Sequence, residues 1–83
     1  PYIMFFTYIL QSEKDQKYYY GSTANLELRI KAHIQGKVRS TKSRRPLKLV
    51  YSECFSTKKE AIQRELFFKS KAGYAWLKNQ GII

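Results

Sequence analysis

The residues best suited to chemistry in this chain are polar ones set where its periodicity calls for apolar ones. The sharpest case is Glu65. At about 100° per residue, Ala61, Ile62, Leu66 and Phe68 form the apolar face of a helix, and Glu65 falls inside that arc, between Ala61 and Ile62. A carboxylate there marks a functional or strained site; the plainer alternative is an ion pair with Lys69 at the favourable i,i+4 spacing. Arg29 and His33, one turn apart, flank the Leu26, Ile30 and Ile34 stripe of an earlier helix. They are either site residues pointing along a sheet surface or ordinary boundary residues. The strand tyrosines Tyr8, Tyr18, Tyr19 and Tyr20 either pack half-buried with the hydroxyl at the rim or bring that hydroxyl to a site. Tyr19 and Tyr20 point to opposite faces, so at most one of them shares the site's face. A third group, Lys37, Arg39, Lys42, Arg44, Arg45 and Lys48, is interleaved with Ser40, Thr41 and Ser43. Cations and hydroxyls together suit phosphate oxygens, so this segment is the candidate nucleic-acid contact; its alternative is a solvated loop. His33 is the only histidine and Cys54 the only cysteine, which excludes a His-based zinc site, a Cys cluster and an internal disulfide.

Charge favours the same partner. Lys and Arg number 16 against 6 Asp and Glu, a net charge of +10 in 83 residues. The usual partners of such a positive field are nucleic acid and anionic membrane. No apolar run reaches the roughly 18–20 residues of a membrane span, and no long basic amphipathic stretch suits the bilayer surface. The apolar opening Pro1–Leu10 lacks a basic leader and a small-residue cleavage site, so it does not read as a signal peptide. Nucleic acid is the expected partner and the cytoplasm the expected location. A chain of this length makes one domain, 1–83, and its 43% hydrophobic residues suffice for a folded core. Cys54, in an apolar run, is expected to be a small core residue.

The elements that must position these residues follow from pattern. Tyr2–Gln11, apolar at both parities, predicts a central strand covered on both faces. Ser12–Lys17 is a polar turn, and Tyr18–Gly21 resumes as the second strand of a hairpin. Thr23 or Asn25 caps a helix that runs to about Gln35, with Gly36 beyond its C-terminus. The acid-free stretch Gly36–Pro46 is a connection of the length that is often functional or mobile. Leu47–Phe55 is a third strand, with Leu47, Leu49, Tyr51 and Glu53 on one parity. Thr57 and Glu60 form a capping box opening a second helix to about Ser70, and Tyr74–Asn79 is a short third helix. The order β-β-α-β-α-α predicts an α+β fold, a three-stranded antiparallel sheet flanked by helices.

With these residues in place, the stretch from about Phe6 to Lys69 resembles the GIY-YIG nuclease superfamily, in particular its small standalone bacterial members. The first signature triplet falls on Phe6-Thr7-Tyr8 and the second on Tyr19-Tyr20-Gly21. Arg29 follows Gly21 at the spacing of the family's helical Arg, His33 takes the position one turn later, and Glu65 matches the metal-binding Glu. Phe6 and Thr7 replace Gly and Ile of the first triplet, Tyr20 replaces the middle Ile of the second, and Ser22 stands where some repair-type members carry Lys. Asn79 is the candidate counterpart of an Asn that many members have downstream, or a cap of the third helix. The resemblance implies hydrolysis of DNA phosphodiesters with one divalent metal, Mg²⁺ or Mn²⁺, held by Glu65. It implies Tyr8 as general base, able to serve near neutral pH if Arg29 or the metal lowers its pKa. It further implies Tyr19 and His33 as proton partners and Arg29 as stabiliser of phosphate charge. The chain shows no separate DNA-recognition segment, so cleavage is expected to follow DNA structure, branched or damaged, as in repair or recombination. The alternatives are a non-catalytic nucleic-acid-binding module on the same fold and a protein-interaction domain.

Overall fold

The computed structural model describes residues 3–83. Strands β1 (Phe5–Ser12), β2 (Tyr18–Thr23) and β3 (Leu47–Phe55) form an antiparallel sheet in the order β2-β1-β3. Helix α1 (Leu26–Ile34) follows β2, and α2 (Lys58–Phe68) and α3 (Lys71–Asn79) follow β3. This is the expected α+β architecture and element order. The central strand begins at Phe5, and Tyr2, where the sequence pattern begins it, lies outside the described residues.

Because β1 is central, both its parities are buried, and each faces a different core. Tyr8 and Leu10 pack with Leu47, Tyr19, Leu26 and Ile30 under α1. Ile9 packs with Phe68 and Leu77, joined by Tyr18, Tyr20, Tyr51 and Trp76, under α2 and α3. This explains the unbroken apolar run of β1, which alternation alone would not allow. Single-parity packing fails in β3. Ile9 faces Tyr51 while Leu10 faces Leu49, so Val50 is an extra residue in a bulge. The bulge moves Leu47 and Leu49 to the α1 side and Tyr51 and Glu53 to the α2 side, because one inserted residue reverses the alternation. Cys54 is exposed rather than buried, since it shares Phe6's side of β3, which α1 leaves open.

The helices begin as their caps dictate, but their buried faces are narrower than the apolar pattern. Asn25, not Thr23, caps α1 by accepting the Leu28 N–H at 3.1 Å, and Gly36 leaves the helix at φ 77°, a conformation open to glycine. Ile34 is 56% exposed while His33 is fully buried, so α1 is rolled toward His33 rather than centred on its apolar stripe. Thr57 caps α2 by accepting the Glu60 N–H, and its hydroxyl donates to the Glu60 carboxylate. Helix α2 lies against the sheet through Ala61 and Phe68, leaving Ile62 and Leu66 exposed, Leu66 by 60%. The small Ala61 lets the helix approach until the Thr7 hydroxyl donates to the Ala61 carbonyl at 2.6 Å.

A second charge shares the buried side of α2. Arg64 lies over the rings of Phe67, Phe68 and Trp76 at 4.5–4.9 Å and donates through Nε to Glu53 at 2.7 Å. Tyr51 donates to the other Glu53 oxygen at 2.5 Å. Burial first, then this carboxylate, pushes the Tyr51 pKa up to about 12. Helix α2 ends before Ser70 because Ser70 caps α3, accepting the Gly73 N–H at 3.1 Å. Helix α3 therefore starts at Lys71, earlier than the periodicity of Tyr74–Asn79 suggests.

Candidate active site

Tyr8 is buried on the α1 side of β1, directly across from Gly21 on β2. A Cβ at Gly21 would overlap the Tyr8 hydroxyl and ring. Glycine is thus what lets the Tyr8 ring lie across the edge strand and carry its hydroxyl toward α1. Tyr19, two residues earlier on β2, shares this face, with ring centroids 6.4 Å from Tyr8 and 5.1 Å from His33. The Tyr8 hydroxyl lies 2.9 Å from His33 Nε2, and His33 Nδ1 lies 2.7 Å from Thr41 Oγ1. Every polar atom of this buried run has a partner, as buried polar groups require.

Arg29, one turn before His33 on α1, is exposed and sets its guanidinium against the two tyrosines. Its interaction with Tyr8, ahead of Tyr19, raises the Arg29 pKa above the ordinary value. The Tyr8 pKa is raised as well. Burial outweighs the lowering by Arg29, and the neighbouring Tyr19 and Glu65 add to the rise. Arg29 does lower this phenol, but desolvation outweighs it, so Arg29 alone does not meet the condition for a base near neutral pH, and Tyr8 carries its proton there. Glu65 is half-buried on α2, near enough for Tyr8 to feel its charge, and it holds Lys69 at 2.7 Å. The i,i+4 ion pair read as the plainer alternative is thus formed, without removing the carboxylate from the site's edge.

His33 is the most strongly perturbed of these groups. Burial first, and then the Arg29 charge, lowers its pKa from 6.5 to about 4. Between those values the unfolded chain binds a proton that the folded one does not. The His33 contribution to stability is therefore full above about pH 6.5 and is lost as pH falls toward 4. Urea unfolding is expected to show about 3 kcal/mol of pH-dependent loss that the His33→Gln variant lacks; parallel pH profiles for the two proteins would contradict it.

The basic segment is tied down rather than mobile. Val38 and Thr41 are buried, a short 3-10 turn spans Lys42–Arg44, and Ser12 Oγ donates to the Arg44 carbonyl at 2.6 Å. Its cations divide by role. Arg44 donates to the Tyr18 carbonyl and Arg45 to the Lys42 carbonyl, so both brace the loop. Lys37, Arg39, Lys42 and Lys48 are exposed, with no side-chain partner among the described residues. Thr41, read in the sequence as one of the hydroxyls facing phosphate, turns inward to His33. No periodicity could find it, because the contact spans a loop. Asn79 ends α3, which packs on the opposite side of the sheet from Tyr8. Of the three altered triplet positions, Phe6 shares Tyr8's side of the sheet, while Thr7 and Tyr20 face the opposite side, where Thr7 anchors α2 and Tyr20 packs against Phe68. Substitution at these last two is a matter of packing and leaves Tyr8, Tyr19 and Gly21 in place.

The GIY-YIG catalytic domain model matches residues 4–79. A UPF0213 protein of Bacillus licheniformis is 51% identical over 63 residues, covering 75% of this chain and 64% of that protein. The matched stretch therefore spans slightly under two thirds of that relative's length. A UPF0213 protein of Clostridium perfringens is 49% identical over 67 residues, covering 80% of this chain and 71% of that protein. The solution NMR structure of a UPF0213 protein from Bacillus halodurans superposes with a TM-score of 0.57 at 32% identity, covering 94% of this chain and 85% of that one. No helix among the described residues is long and apolar enough to cross a membrane. With the triplet tyrosines, the helical Arg and His and the α2 carboxylate arranged on this sheet, the chain belongs to the GIY-YIG domain family, within the small bacterial UPF0213 group.

Proposed function

We propose that this chain is a divalent-metal-dependent endonuclease that hydrolyses DNA phosphodiester bonds, directed by DNA structure rather than base sequence. The observation that carries the reading is the buried run from Tyr8 through His33 to Thr41, opening on the Arg29 guanidinium with the Glu65 carboxylate nearby. Tyr8 keeps its proton in the free protein, so it works as a base only by passing that proton on. The attacking water gives a proton to the Tyr8 oxygen while the Tyr8 hydroxyl proton moves to His33 Nε2. The hydroxide adds to phosphorus, the opposite P–O bond breaks, and the leaving oxygen takes a proton from solvent. Burial first, and then the Arg29 field, disfavours imidazolium; bound phosphate would offset the second of these. Arg29 neutralises charge growing on the phosphoryl oxygens with its planar fork, and Tyr19 hems the Tyr8–His33 pair on the β2 side.

The donor set bears on the metal. Among the described residues no three His, Cys, Asp or Glu side chains gather to hold an ion. Glu65 alone suits Mg²⁺ or Mn²⁺ taken with waters and substrate phosphate oxygens rather than in an all-protein cage. When bound, such an ion supplies Lewis-acid stabilisation of the phosphoryl group and leaving oxygen. Lys69 is half-exposed, so giving up its partner costs less than about 1 kcal/mol.

The exposed Lys37, Arg39, Lys42 and Lys48 would follow the DNA backbone, which carries no sequence information. A second reading, a nucleic-acid-binding module without catalysis, is favoured by the Glu65–Lys69 pair, which satisfies the carboxylate without a cation. Supercoiled plasmid and branched duplexes incubated with the protein separate the two readings. Nicking that needs Mg²⁺ and stops on chelation is expected. Salt-sensitive binding with no cleavage in any metal would leave only the binding module.

A further inference from the structure

The buried run holds one group whose place the family signature does not explain. Thr41 belongs to the basic loop, yet it is fully buried and its hydroxyl reaches the imidazole of α1. A hydroxyl has one proton to give. Two acceptors compete for it, the Val38 carbonyl at 3.5 Å and His33 Nδ1 at 2.7 Å. If the proton goes to His33, Nε2 must carry the imidazole hydrogen and donate to Tyr8. The Tyr8 hydroxyl proton, on a side chain 1% exposed, is then left without an acceptor in any hydrogen bond among the described residues. If it goes to Val38, Nδ1–H donates to Thr41, Nε2 accepts from Tyr8, and every proton in the run has an acceptor. Buried polar groups adopt the arrangement that leaves none unpaired, and a histidine's tautomer is set by the bond its other nitrogen makes.

We propose that Thr41 is a positioning residue that holds His33 in its Nδ1–H tautomer, keeping the Nε2 lone pair aimed at the Tyr8 hydroxyl. The tautomer follows from the geometry alone; its catalytic consequence rests on the nuclease reading above. The placement also couples two parts of the site. Thr41 lies between Arg39 and Lys42, whose side chains face solvent. Phosphate contacts to Arg39 and Lys42 would therefore fall on the same short segment that secures the imidazole. Ser40 and Ser43 cannot take this role, because both face outward.

The test is long-range ¹H–¹⁵N correlation of the His33 ring in the full chain at pH 7, in wild type, Thr41→Ser and Thr41→Val. Wild type and Thr41→Ser are expected to show Nδ1 protonated and Nε2 bare. Thr41→Val, which keeps the shape and removes the hydroxyl, is expected to show mixed tautomers. A wild-type ring protonated at Nε2, or a Thr41→Val ring with wild-type shifts, overturns the proposal. A cleavage assay on the same three proteins adds the functional readout. Thr41→Val is expected to lose at least about ten-fold in kcat, part of the ~10²–10⁴ that positioned proton transfer contributes, with KM unchanged and Thr41→Ser restoring the rate. A loss confined to KM would reassign Thr41 to DNA contact and overturn the positioning role. Should the wild type cut no DNA, the nuclease reading fails while the tautomer result still decides the proposal.

Discussion

Tyr8→Phe is expected to lower the DNA cleavage rate by ~10²–10⁴, the range that a positioned acid–base group supplies, while leaving DNA affinity near wild type. The substitution removes one oxygen and nothing else from the ring that lies over Gly21. It takes away both the acceptor for the water proton and the donor to His33 Nε2 at 2.9 Å. The buried imidazole nitrogen then has no partner, which costs about 1–3 kcal/mol. A thermal melt should therefore show a lower but still cooperative transition, and cleavage should be measured well below it. A single-turnover rate within a few-fold of wild type would show that Tyr8 only fills space.

Arg29→Ala is expected to cost ~10²–10³ in the same rate, the magnitude of losing one preorganised donor to a developing anion. It differs from Tyr8→Phe in its effect on stability. Arg29 is exposed, so its removal should move the folding free energy by no more than about 0.5 kcal/mol. It also has a signature that no packing change imitates. The Arg29 charge is the second cause, after burial, of the low His33 pKa. NMR titration of Arg29→Ala should therefore find the imidazole titrating above its value of about 4, with burial still holding it below the ordinary 6.5. Arg29→Lys keeps the charge without the fork and should hold the His33 pKa near wild type while recovering only part of the rate. An Arg29→Ala protein that cleaves normally would remove the guanidinium from the mechanism.

What the sequence made legible was set by the range of the interactions. Local signals located the hairpin, the Thr57 cap, Gly36 and the element order, and narrowed the α1 cap to Thr23 or Asn25, because each depends on a few neighbouring residues. Glu65 was visible as a carboxylate inside an apolar arc, although the arc itself was drawn too wide. Ile62, Leu66 and Ile34 are apolar and lie outside the contact, because helix roll is decided by which side chain can approach the sheet closely. Ala61 does so on α2, and His33 takes the buried place on α1. The bulge at Val50 left no mark in the Leu47–Phe55 pattern, so Tyr51 and Glu53 were grouped on one parity with Leu47 and Leu49, which lie on the other face; Cys54, placed in the core for its apolar neighbours, is exposed. Thr41 was out of reach for a related reason. Its partner is brought to it by the loop's own tethers, Val38 and the bond from Ser12 to Arg44. The rise of the Tyr8 pKa depends on how completely α1 covers the ring, which no residue type announces.

The most direct test is the single-turnover cleavage rate of a branched DNA in Mg²⁺, with wild type and Glu65→Ala compared at protein concentrations that saturate each. Glu65 is half-buried, ion-paired among the described residues only with the half-exposed Lys69, and lies outside the basic loop. Its loss should therefore leave DNA affinity unchanged or slightly raised. Wild type is expected to cut, to stop when the metal is chelated, and to lose at least ~10² in rate on Glu65→Ala. Equal rates for the two proteins, or no cutting by wild type in Mg²⁺ or Mn²⁺, would contradict a metal-dependent nuclease built on this carboxylate.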